Sequence, residues 1–87
     1  MHSSSPERGR AKLMLKLPAL RTQIQHLVGD TIVELFESYD LATSALDRYR
    51  KQKPTNLNIV AEYDEICDEI EEEVSWYCNA IKLLQTR

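Results

Sequence analysis

The stretch Val60 to Leu84, VAEYDEICDEIEEEVSWYCNAIKLL, decides the fold. Its apolar residues Val60, Tyr63, Cys67, Ile70, Val74, Tyr77, Ile81 and Leu84 recur at alternating spacings of three and four, an unbroken heptad seam. Val28, Ile32, Leu35, Tyr39, Ala42, Leu46 and Tyr49 repeat the same alternation upstream, and the strong breaker between the two runs is Lys53-Pro54-Thr55-Asn56. The spacing predicts an all-α fold: an antiparallel helical hairpin or a three-helix bundle with coiled-coil-like heptad seams.

Working outward, helix C is expected over about residues 58–85, capped by Thr55, Asn56 or Asn58, after a turn at 53–57. Helix B ends in Arg48, Arg50, Lys51 and Lys53, cations where the helix dipole is negative. Pro18 suits a helix start and keeps Leu17 out of the helical region, so helix A begins near 18 with the stripe Leu20, Ile24 and Leu27. At 29–31 Gly29 can end a helix and Thr31 with Glu34 can cap the next, so A and B, about 18–52, are kinked or broken there; absence of a proline favours continuity or a kink. Ala-Lys-Leu-Met-Leu-Lys-Leu at 11–17 is too short to assign, and 1–10 reads as a flexible polar arm ahead of a single helical domain, 11–87.

Eighty-seven residues make one small domain, which buries only about 60 % of its unfolded surface, so assembly is a natural remedy for a thin core. No apolar run approaches a membrane span, and no apolar block follows the N-terminal charges as in a signal peptide. An intracellular protein is expected, with nucleus and cytoplasm both open. Cys67 and Cys78, three helical turns apart, cannot bridge each other and read as small core hydrophobes, with a redox role as the alternative. His2 and His26 stand at no ligand spacing, and no metal or other cofactor is expected.

The columns beside the seams carry the functional expectation. Ile59 and Ile66 on helix C face Ala45 on helix B, a groove that a further helix could approach. At the end far from Pro54, Val33, Phe36, Trp76 and Leu83 lie outside the two seams and, with Ile81, call for additional cover, from helix A or residues 13–17 folding back, from a second copy, or from a partner helix. Between Pro54 and Ile81 stand eight acids and no lysine or arginine. Glu65, Asp68, Glu69 and Glu72 include like-charged pairs four residues apart, which destabilise a free helix. A solvated face is the plain reading; a dock for a basic segment, including Arg8, Arg10, Lys12, Lys16 or Arg21 of this chain, is the sharper one.

Paired carboxylates can catalyse, but they need a pocket holding them in different environments, and a smooth hairpin offers none. No phosphate loop, nucleophile with a base at hand, calcium loop or basic aromatic patch is present, and the four tyrosines sit among acids rather than on a base-stacking platform. The expectation is a non-enzymatic protein-interaction module, with no small-molecule substrate, membrane or nucleic acid. It dimerises or docks a partner helix through its groove and apolar end. The competing expectation is a binder of a basic segment, such as a histone or other basic nuclear tail, through the acidic face.

Overall fold

The computed structural model describes residues 4–85, and all regular structure among them is helical. Helix α1 spans Pro6–Lys16; a 3₁₀ turn at Pro18–Leu20 leads into α2, Arg21–His26; α3 is Asp30–Lys51 and α4 is Leu57–Gln85.

Residues 6–10, expected within a loose polar arm, instead open α1. Their cue is polar rather than periodic. Ser5 has extended backbone, its hydroxyl accepts the Arg8 N–H at 3.3 Å, Pro6 occupies the first helical position and Glu7 lies in the first turn. Residues 1–3 of that expected arm lie outside the described residues. Pro18 ends α1, leaving Leu17 at φ −121° and ψ 67°.

The favoured continuous or kinked helix through 29–31 is a full break. Leu27 turns extended, and Gly29 takes φ 118°, a region open to glycine and strained for other residues. The N-cap of α3 is accordingly Gly29, whose carbonyl accepts the Val33 N–H at 3.0 Å, and not Thr31. The stop between α3 and α4 falls where the cations and Pro54 place it, and Asn56 caps α4: its Oδ1 accepts N–H groups of Asn58 and Ile59 at 3.1 and 3.2 Å.

α3 and α4 run antiparallel, because Tyr39 meets Glu71, Tyr49 stacks on Tyr63 with ring centres 5.6 Å apart, and Arg50 lies 3.7 Å from Asp64. α1 packs on α3, and α2 touches both α1 and α4. Ile32, Tyr39, Ala42 and Leu46 of one seam meet Cys67, Ile70 and Val74 of the other in a core that also takes Leu13, Ile24, Leu27, Phe36 and Cys78. Fully burying a Leu13 or Phe36 side chain contributes about 2 kcal/mol, so α1 and α2 strengthen a core the two long helices began. The seam residues Val28 and Leu84, at the outer ends, remain exposed.

Candidate docking surface

Along α4, Glu65, Glu69, Glu72, Trp76 and Leu83 follow each other at spacings of three, four or seven, so they occupy one stripe opposite the buried Cys67 and Val74. All five are exposed, Trp76 at 63 % and Leu83 at 75 %; Asp68 flanks the stripe and is exposed too. The stripe is acidic in its first half and apolar in its second.

None of Glu65, Asp68, Glu69 and Glu72 has an ion-pair partner among the described residues. Of the cations that could have covered them, Arg8 and Lys12 lie on Asp40, Arg10 has its guanidinium 5.2 Å from the centre of the Phe36 ring and 3.3 Å from the Leu27 carbonyl oxygen, and Lys16 borders a recess that it shares with Asp64, Asp68 and Glu71. Arg50 reaches Asp64 at 3.7 Å, an exposed pair of little energetic consequence. Where α1 ends, Leu17 and the α4 residues Asp68, Glu71, Glu72, Ser75, Trp76 and Asn79 enclose an open recess of about 550 Å³. Glu71 is fixed in its wall by the Tyr39 hydroxyl, which donates to Oε2 at 2.8 Å. Burial, reinforced by that bond and the Glu71 charge, raises the Tyr39 pKa and keeps the phenol protonated.

The expected groove and apolar end are only partly available. Val33 and Ile66 are exposed, Ile59 and Ile81 half-buried, and Ile81 packs against the core. Phe36 and Ala45 are corrections: both are buried within the chain, Phe36 completely. The reason for Phe36 is α1, which brings Gly9 against the Phe36 backbone and Arg10 over its ring. With Ala45 closed off, Ile59 and Ile66 line no open groove with it.

A second polar centre escaped the sequence reading. Asp40 of α3 has a side chain with no exposed surface; Lys12 Nζ lies 2.7 Å from Oδ1, Arg8 Nε 3.2 Å from Oδ2, and the Ser5 N–H donates to Oδ2 at 2.9 Å. Lys12 also donates to Thr43 Oγ1 at 2.8 Å and Ser44 Oγ at 3.2 Å. Burial pushes the Asp40 carboxyl upward, but the two cations and the Ser5 N–H outweigh it and hold the pKa at about 2. The available signal was Arg8-Gly9 followed by Lys12: cations bracketing a residue small enough for close helix contact.

Cys67 and Cys78 are buried free thiols, both pushed up in pKa by burial. Since the thiolate is the reactive form, both should label with a maleimide at least ~10-fold more slowly in the folded chain than in denaturant. Equal rates in the two conditions would show these thiols to be open.

Among the described residues no helix is long and apolar enough to cross a membrane, and no three His, Cys, Asp or Glu side chains converge to hold a metal ion. No protein family, curated protein or solved structure that was compared matches this chain.

Proposed function

We propose that this chain is a non-enzymatic interaction module, a helical hairpin of α3 and α4 with α1 laid across α3, and that it binds a basic segment of another protein along the outer face of α4. The supporting observation is the run of unpaired, exposed carboxylates at Glu65, Asp68, Glu69 and Glu72 leading into exposed Trp76. Like charges this close oppose helix formation, and cations from a partner would relieve them. Trp76 and Leu17 beside the recess supply an apolar anchor for the stem of a lysine or arginine, or for a leucine next to it.

The chain has one tryptophan, so Trp76 fluorescence reports binding at the site itself. A lysine- and arginine-rich peptide bearing one leucine should shift its emission saturably, with affinity falling between ~0.1 M and ~1 M salt. Converting the four carboxylates to amides (E65Q, D68N, E69Q, E72Q) should weaken binding about 10-fold and flatten the salt dependence, at a few tenths of a kcal/mol for each exposed charge. The isolated domain should keep or gain stability, since the like-charge pairs are gone. Binding that ignores both salt and the four substitutions would leave α4 with a merely solvated face.

A second reading, self-association or capture of a partner helix, draws on Val28, Leu83 and Leu84, all exposed toward the end of the molecule far from Pro54. Light scattering separates the two: that association would persist at high salt, and the acidic dock would not.

A further inference from the structure

α1 and α4 are held to α3 by different forces. α4 contributes Cys67, Ile70, Val74 and Cys78 to the core, a mainly apolar contact flanked by the Tyr39–Glu71 hydrogen bond and the exposed Arg50–Asp64 pair. α1 buries Gly9, which has no side chain, and Leu13, with Met14 partly covered. The rest of its hold is polar, with Arg8, Lys12 and the Ser5 N–H meeting on Asp40, and Lys12 reaching Thr43 and Ser44. Beneath it lie Phe36, Asp40 and Thr43, at spacings of four and three, a stripe of α3 distinct from the Ile32, Tyr39 and Leu46 stripe facing α4.

We infer that α1 is a detachable strap, the in-chain occupant of a helix-binding face made by Phe36, Asp40 and Thr43, and that it leaves α3 as a unit while α3 and α4 stay paired. The geometry sets what can replace it. A competing helix must place a glycine against the Phe36 carbonyl, where a Cβ would fall 1.7 Å from the oxygen, with one cation just before it and another three residues after. α1 satisfies this with Arg8, Gly9 and Lys12. An eleven-residue helix is marginal alone in water, so a detached α1 also loses its helical hydrogen bonds, and amide exchange reports its release.

The test is native-state hydrogen exchange on the full chain. In the unsubstituted protein, amides of 9–16 should exchange at least ~10-fold faster than those of 39–46 and 67–74. Replacing both cations (R8Q with K12Q) should speed exchange in α1 about 100-fold, while the α3–α4 amides change no more than about threefold. A synthetic peptide of residues 4–17 should then slow exchange over 36–44 in that variant, and the same peptide carrying G9V should not. If all three segments exchange at one rate and accelerate together, α1 is an inseparable part of one cooperative core and the strap is wrong. Should the double variant fail to fold, the comparison within the unsubstituted chain decides alone.

Discussion

Gly9→Ala is expected to shift the docking equilibrium of α1 by about 3 kcal/mol toward release, even though alanine is the better helix former. The Cβ it adds would lie 1.7 Å from the Phe36 carbonyl oxygen and 2.5 Å from its carbon. Those atoms belong to the backbone in the middle of α3 and cannot swing aside as a side chain would. Better intrinsic propensity returns only about 1 kcal/mol, so the clash wins. Denaturant unfolding followed by circular dichroism should show an early loss of helix corresponding to α1. Gly29→Ala is the control: its Cβ would meet nothing within 4 Å, and its cost of about 1–3 kcal/mol comes from a backbone conformation open essentially to glycine alone, with α1 left in place. An unchanged α1 transition in Gly9→Ala would mean that α1 does not lie on Phe36.

The second large effect comes from Asp40 and depends on which partner is removed. Losing both Arg8 and Lys12 (R8Q with K12Q) strands a buried carboxylate and should cost about 3 kcal/mol or more. Asp40→Asn leaves two cations whose side chains are 51 % and 35 % exposed, able to turn to water, so about 2 kcal/mol is expected. The groups facing Asp40 are Arg8, Lys12 and the Ser5 N–H from α1; the Thr43 and Ser44 hydroxyls of α3 act through Lys12. Its carboxyl pKa falls from 3.8 to about 2 on folding, so its contribution is full above pH 3.8 and fades as pH drops through about 2. Acid unfolding should therefore bring the unsubstituted chain and Asp40→Asn together at the low end of that window. A gap that stays constant down to pH 2 would show that Asp40 gains nothing from its ionised form.

What the sequence made legible was the pair of long helices. Each carries an apolar residue every three or four positions, and the C-terminal limit of α3 and the N-terminal limit of α4 fall at strong punctuation within a residue of expectation, whereas the start of α3 at Asp30 does not. α1 was illegible because it docks by the absence of a side chain at Gly9 and by charges at Arg8 and Lys12, neither of which leaves an apolar period. The Ser5-Pro6-Glu7 start was visible, but no stripe followed it. Phe36 was rightly marked as apolar surface that one seam cannot cover, yet pattern alone could not name the segment that covers it. The acids of α4 stood out because no cation interrupts them before Lys82, and the structure adds that Arg8, Arg10 and Lys12 are engaged on Asp40 and Phe36.

Charge is also segregated along the chain. Residues 6–21 hold five cations against one acid, and residues 57–85 hold eight acids against Lys82 alone. A modest net charge of −3 thus conceals a strongly acidic α4. In dilute salt the field of those exposed carboxylates steers an approaching polycation toward α4 before any contact is made, and added salt weakens that steering.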